Sequence, residues 1–363
     1  MPDPGKGAKE MGKELRSSLD DYIAWSPSRL KTWLACPRKY FHQYIAKDKA
    51  PITGAMARGI LLHKRMTHMY RDDGTLKYQS SEKFANSAKG IWLRTIDGSV
   101  IEGQRIEWKD RDEPYQIMQD VLDVLEKVYE TYSSREAPLL TEVGFDALLS
   151  GEGYFRIRGR IDEVSPIRET FKISDHKSGG ENPKEQRLAY DLQFTLYALG
   201  LGSTIRDSSL LDLRDKFNPS FRKKAFFVID ELKDKPLEQI TSGIELEYHR
   251  MRTGEMIPVP QRNEEHIKEL FETLGDAEER ISRATETGKW PVDRESCGEC
   301  IFFKVCDRNT ASVLYQKETA QPRQPSLFDD KAAVVYSDCK VQAPKEKHPK
   351  FQFPRAARRG VNS

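Results

Sequence analysis

Hydrophobic positions in the first third of the chain recur at helical spacing. Leu30, Trp33, Leu34, Phe41, Tyr44 and Ile45 follow Ser26-Pro27, a hydroxyl N-cap with proline at the first helical position. Pro37 predicts a break or kink, with Cys36 sitting at it. A second helix is predicted over about 54–70, carrying His63. A third spans 115–132, where Ile117, Val121, Leu122, Leu125 and Val128 mark one apolar face. Residues 72–112 between them are charged and weakly patterned and read as an insertion with short helices. The period then changes to two. Residues 141–149 lead through Ser150-Gly151-Glu152-Gly153 into 154–164, where Phe155, Ile157 and Ile161 predict a β-hairpin, and 171–176 is a third, short strand. Residues 184–201 read as a helix with Leu188, Leu192, Leu196 and Leu199 on one side. The run Ala225, Phe226, Phe227, Val228, Ile229 reads as a buried strand over 224–230. The predicted order is α, β, β, β, α, β, and a long polar helix over about 263–287 then leads to a cysteine cluster.

With 363 residues, the chain has room for one large domain with appendages or two modest ones. A hydrophobic share of 37% beside 32% charged residues excludes collagen-like and fully disordered classes. No apolar run approaches the roughly 18 residues that cross a bilayer, and residues 1–20 are polar without an apolar signal core. The expectation is a flexible leader over 1–20 and a cytoplasmic protein with no membrane partner. Net charge is +2, yet 340–363 holds seven Lys or Arg and one Glu, so a basic tail follows a mildly acidic body. Residues 311–363 are expected to be a disordered basic tail able to touch phosphate.

In a chain without a secretion signal, five cysteines are expected as reduced thiols, with a metal or catalytic role ahead of a disulfide framework. Cys297, Cys300 and Cys306 form C-x2-C-x5-C, Cys36 lies far upstream, and Cys339 reads as a spare thiol. Three close thiolates and one remote one make a four-ligand set for an iron-sulfur cluster or Zn²⁺, which spacing alone does not separate.

The densest chemistry lies in Gly159-Arg160-Ile161-Asp162 and Ser174-Asp175-His176-Lys177-Ser178-Gly179. On adjacent antiparallel strands, Asp162 and Asp175 would project to the same side, and Lys177 shares the face of Asp175. Two converging carboxylates call for a hard cation, Mg²⁺ or Mn²⁺, and a nearby lysine can orient a water or hold a phosphate oxygen. The bland reading is a turn-capping Asp162 beside a surface Asp175–Lys177 ion pair.

These residues, with Gln193 and Tyr197 in Asp191-Leu192-Gln193-Phe194-Thr195-Leu196-Tyr197, resemble the GxxD, DxK and QxxxY motifs of the PD-(D/E)XK nuclease superfamily. More narrowly they are similar to its RecB-like branch, which includes AddB-type nucleases and CRISPR-associated RecB-like exonucleases. Arg58-Gly59-Ile60-Leu61-Leu62-His63 is similar to that branch's G-x-x-x-H helix. Cys36 in Cys-Pro-Arg-Lys-Tyr, with the later C-x2-C-x5-C, matches its iron-sulfur members. The resemblance implies an α/β restriction-endonuclease-like core over 21–310, a mixed sheet flanked by helices. A [4Fe-4S] staple on Cys36, Cys297, Cys300 and Cys306 would join its two ends across some 260 residues of chain, with Zn²⁺ as the alternative. It implies His63, Asp162, Asp175 and the carbonyl of His176 as ligands of Mg²⁺ or Mn²⁺. Lys177 would activate water, and Gln193 and Tyr197, four apart on one helix face, would contact the phosphate backbone or order Lys177. The segment 72–112 has no family motif, and His176 stands where many relatives carry an aromatic or apolar residue. Glu142 is a candidate supporting acid, and His68 reads as surface.

In the tail, Gln324-Pro325-Ser326-Leu327-Phe328 resembles the peptide with which bacterial replication proteins bind the sliding clamp. The implied function is a metal-dependent DNA exonuclease acting on single-stranded or end-containing DNA, bacterial or phage-encoded, with the clamp, a helicase or a recombination protein as partner. The rivals are a flap or structure-specific endonuclease and a non-catalytic iron-sulfur DNA-binding subunit of a repair complex.

Overall fold

The computed structural model describes residues 22–71, 73–150, 154–179, 191–293, 297–298, 300–303 and 305–306. The expected leader 1–20, the turn residues 151–153, Leu188, the tail 311–363 with its 324–328 peptide, and Cys339 lie outside the described residues. A short strand, β1 (Ala24–Trp25), turns at once into α1 (Pro27–Ala35), where the Ser26 hydroxyl accepts from the Arg29 amide at 3.1 Å. Cys36 is extended, and Pro37 restarts the chain as α2 (Pro37–Tyr40), which continues into a π-helical turn over Phe41–Ile45. The predicted break therefore exists, with the cysteine at the joint.

A helical lobe follows. β2 (Ile52–Thr53) leads into α3 (Gly54–Met66), then α4 (Ser81–Gly98), the hairpin β3 (Val100–Ile101) and β4 (Gln104–Glu107), and α5 (Glu113–Tyr132). Leu61, Leu62, Phe84, Trp92, Val121 and Leu125 form its separate core. Residues 72–112 thus hold one long helix and a hairpin in place of several short helices. The reason is compositional: α4 buries Phe84, Ala85, Ala88 and Trp92, and small alanines make a weak apolar stripe.

The second sheet carries the candidate chemistry. It is built from β5 (Leu140–Ser150), β6 (Tyr154–Ile167), β7 (Thr170–Lys177), β8 (Glu245–Arg250) and β9 (Glu255–Val259) together with β1. β5, β6 and β7 are antiparallel, β8 is parallel to β7, and β9 is antiparallel to β8. Parallel neighbours need a crossover, and here it contains α6 (Leu192–Arg206), a 3₁₀ segment (Ser209–Lys216), α7 (Arg222–Leu232) and α8 (Leu237–Gly243). The α/β class and mixed sheet expected from the sequence are present. The strand expected over 224–230 is α7 instead. Ala225, Val228, Ile229 and Leu232 are buried at helical spacing, while Phe226 and Phe227 are 37% and 58% exposed. The strand parallel to β7 lies further on, at β8.

A buried helix and two glycines set how closely α6 approaches the sheet. From Gln193 to Ile205 every residue of α6 is buried, so the helix is enclosed on all sides. The Phe145 ring lies between β6 and α6: a Cβ on Gly159 or on Gly200 would come within 2.5 Å of it. The glycine of the GxxD motif therefore has a packing reason, since it admits the ring that seats α6 over Asp175. Finally α9 (Glu264–Thr287), started by a capping box of Asn263 and His266, contributes Leu270, Leu274 and Ile281 to the main core. No helix among the described residues is long and apolar enough to cross a membrane.

Candidate active site

Strand alternation and the start of α6 bring four polar groups together. On β7, Asp175 and Lys177 share a face by the period of two, and Lys177 Nζ lies 2.7 Å from Asp175 Oδ2. Above them Asp191 caps α6, accepting from the Gln193 amide at 2.9 Å, so that Gln193 enters the first turn pointing at the strand. Its Nε2 donates to Asp175 Oδ1 at 2.7 Å and to Tyr197 Oη at 2.8 Å, and its Oε1 accepts from Lys177 Nζ at 3.3 Å. One amide thus joins the DxK and QxxxY residues. A residue that sequence reasoning passed over also reaches it: Lys31 of α1 donates to Gln193 Oε1 at 2.6 Å.

Asp162 sits where the β6 ladders break. Its neighbours pair on both sides, Ile161 with Val143 and Glu163 with Thr141, but Asp162 and Glu142 do not appear as a pair, and Glu142 has φ of 55°. A non-glycine residue held in the left-handed region inside a strand is a strained arrangement of the kind found beside functional groups. The freed Asp162 carboxylate accepts from the His176 amide at 2.7 Å and lies 3.6 Å from His63 Nδ1. His63 is delivered by α3. Gly59, one turn earlier, lets that helix approach Ser178 so closely that a Cβ would stand 3.2 Å from its Oγ, and Arg58 donates to the Ser178 carbonyl at 2.7 Å. His68, on the turn after α3, is exposed as expected, and Glu142 points its carboxylate at Arg160, 3.1 Å away.

The charges of this group fit a divalent cation. Burial, and then the Asp175 carboxylate beside it, raise Asp162 to about 7, a carboxylate short of positive charge. Burial and the neighbouring His176 lower His63 to about 4, which keeps its imidazole neutral and able to act as a ligand. Burial works against the Lys177 ammonium, but Asp175 outweighs it and holds its pKa above the usual lysine value. Among the described residues, the buried Asp175 Oδ2 has the Lys177 ion pair as its close partner. His63 faces Asp162 at 3.6 Å with Asp175 on the neighbouring strand, and oxygen and neutral nitrogen donors of this kind suit Mg²⁺ or Mn²⁺, but the three do not draw their donor atoms within 4.8 Å of one another.

The sequence matches the PD-(D/E)XK nuclease superfamily across residues 24–307. The chain belongs to that superfamily. The match runs from β1 through the last cysteine of the C-x2-C-x5-C motif, so it takes in both sheets and the helices between them. No curated protein matches the sequence. Among solved structures, the crystal structure of SSO0001 is 13% identical, with 77% of this chain and 94% of that chain aligned and a TM-score of 0.25. Nucleases of this superfamily work with divalent metals, for which the donor set above is suited.

Behind the site, this PD-(D/E)XK nuclease carries a buried polar network that no sequence motif announced. His176 alternates away from Asp175, and its Nε2 lies 3.1 Å from Glu163 Oε1. Tyr132 of α5 stands between His176 Nδ1, at 3.2 Å, and His249 Nδ1 of β8, while His249 Nε2 meets Glu247. Burial would raise Glu163, but His176 outweighs it and lowers the carboxyl to about 2. In return Glu163 holds His176 above its usual value. Glu163, His176 and His249 place donor atoms within 4.8 Å of one another, yet each is engaged by a partner in the network. A signal was present in the sequence: the strand Glu245–Arg250 carries Glu247 and His249 at period two, facing the same way as Ser174 and His176 of β7.

The nuclease also gathers its cysteines. The Arg38 amide donates to the Pro291 carbonyl at 2.9 Å, His42 stacks on Phe302 with ring centroids 5.6 Å apart, and Trp290 packs on Phe41. These contacts lay the C-terminal segment against α2. Cys36, Cys297, Cys300 and Cys306 are unbridged thiols, and burial together with Cys36, Cys306 and Cys300 raises Cys297 to about 11. Thiols are soft donors, the chemistry that suits zinc or an iron-sulfur group.

Proposed function

We propose that the chain is a RecB-like, iron-sulfur DNA exonuclease that hydrolyses phosphodiesters at single-stranded or free DNA ends during replication, recombination or repair in the cytoplasm. The observation that carries this reading is the Gln193 side chain, which ties Asp175, Lys177 and Tyr197 into one hydrogen-bonded unit. This supports the role the resemblance implies for Gln193 and Tyr197, the ordering of Lys177. His63, Asp162, Asp175 and the His176 carbonyl would hold Mg²⁺ or Mn²⁺. Such a cation, when bound, supplies Lewis-acid activation of water and offsets charge developing on the phosphate. Lys177 enters as an ammonium, so it donates hydrogen bonds to a water or a phosphate oxygen. Serving as a base would first require Asp175 to give its charge to another cation. Gln193 and Tyr197 hold the Lys177 and Asp175 heads in register, which limits the motion of the attacking geometry.

Cys36, Cys297, Cys300 and Cys306 would hold a [4Fe-4S] cluster as a staple between α1–α2 and the C-terminal segment, with 21–310 as the nuclease domain. The tail 311–363, with its Gln324–Phe328 peptide, would engage a sliding clamp or phosphate. The test is a comparison of end-labelled linear DNA with a covalently closed single-stranded circle, in Mg²⁺ and in Mn²⁺. The expected result is loss of the linear strand from one end with the circle left intact. Cutting of the circle would turn the reading to a structure-specific endonuclease.

A further inference from the structure

Beside the candidate active site a cleft of about 610 Å³ opens along β6. β1 pairs with residues 156–157 of that strand and β7 with residues 163–167, both on the edge opposite β5. Between these two partners, the edge from Arg158 to Asp162 has no strand neighbour among the described residues. Gly159 lines the cleft between Arg158 and Arg160. The start of α1 forms the other wall. Four cations line the space, Lys31, Arg158, Arg160 and Lys177, together with the hydroxyls of Ser26 and Ser28.

The cations are held but not consumed. Lys31 is 3.5 Å from Asp191, Arg158 is 3.8 Å from Asp146, and Arg160 is 3.1 Å from Glu142. Their side chains remain 52%, 65% and 70% exposed. Pairs this open are weak, so an anion of higher charge density can take the donors over. Among the described residues of the lining the one aromatic, Tyr197, is buried and tied to Gln193, so it is not free to stack a base. Basic groups without a stacking platform read the backbone rather than the sequence.

We infer that this cleft takes the sugar-phosphate backbone of the DNA strand adjoining the scissile phosphodiester, with Lys31, Arg158 and Arg160 each meeting a phosphate oxygen. The inference rests on the nuclease reading above and adds the path of the strand: it enters along the bare β6 edge, between α1 and Lys177. Arg158 and Arg160 lie four and two residues before Asp162, so the strand itself sets their distance from the site.

The test separates this path from cleavage. Binding of a dye-labelled single-stranded oligonucleotide is measured by anisotropy in EDTA, from about 50 to 200 mM salt. Wild type is compared with Arg158→Ala/Arg160→Ala, Arg158→Lys/Arg160→Lys and Lys31→Ala. Each single-strand phosphate contact contributes about 0.7 to the slope of log K against log salt, so the double alanine variant should lose about 1.4 and the lysine variant little. The loss of affinity should be the same on oligonucleotides of unrelated sequence. An unchanged slope and affinity in the double alanine variant would overturn the path, whatever the cleavage assay gives. A wild type without measurable DNA affinity would overturn both readings. Binding with the expected slopes in a protein that does not cut would retire the nuclease reading and keep the path.

Discussion

Lys177→Ala lowers the rate of DNA cleavage by about 10²–10⁴-fold, the range that a positioned proton-transfer or charge-stabilising side chain contributes. Among the described residues the lysine is the cation in contact with Asp175 Oδ2, and it is wired to Tyr197 through Gln193. Its removal therefore takes away the donor and also loosens the carboxylate beside it. The side chain is about a third exposed, so the fold should tolerate the truncation. The check is a single-turnover rate on end-labelled DNA at saturating Mn²⁺, with circular dichroism to show the variant folded. A folded Lys177→Ala that cuts at the wild-type rate would remove this residue from the chemistry.

The second large effect is expected at the opposite end of the domain. With the proposed cluster in place, Cys36→Ser is expected to abolish iron content and visible absorption and to lower stability by up to about 5 kcal/mol in the chain-entropy picture of a closed loop. The loop runs from Cys36 to Cys297, some 260 residues. Part of that closure survives without a cluster, because Arg38, His42 and Phe41 also meet Pro291, Phe302 and Trp290. Anaerobic denaturation with iron and zinc analysis reads both quantities. Stoichiometric zinc in place of iron would replace the cluster by a zinc staple, and a variant with unchanged metal and midpoint would remove Cys36 from the ligand set.

The candidate site was legible where its residues lie close in sequence on regular elements. Asp175 and Lys177 are two apart on one strand, Gln193 and Tyr197 four apart on one helix, and both spacings fix a shared face without knowledge of the fold. The hairpin β5–β6 announced itself through alternation and its glycines. What sequence alone did not yield was long-range and polar. The 224–230 segment looked like a strand because five consecutive apolar residues fit either period, and the deciding residue, Leu232, lay outside the window. β8 is not announced because Glu247 and His249 are polar, and the burial of His249 rests on its bonds to Tyr132 and to Glu247, which Lys172 meets in turn. Likewise Lys31 is 162 residues from Gln193, and the kink opposite Glu142 is a property of the folded ladder, not of a local motif.

Binding of a divalent cation by the intact chain tests the central claim most directly. A Mn²⁺ titration followed by electron paramagnetic resonance, run on wild type and on Asp175→Asn, should show a bound ion in the wild type and loss of that site in the variant. Equal Mn²⁺ binding by the two proteins would contradict an active site built on Asp175.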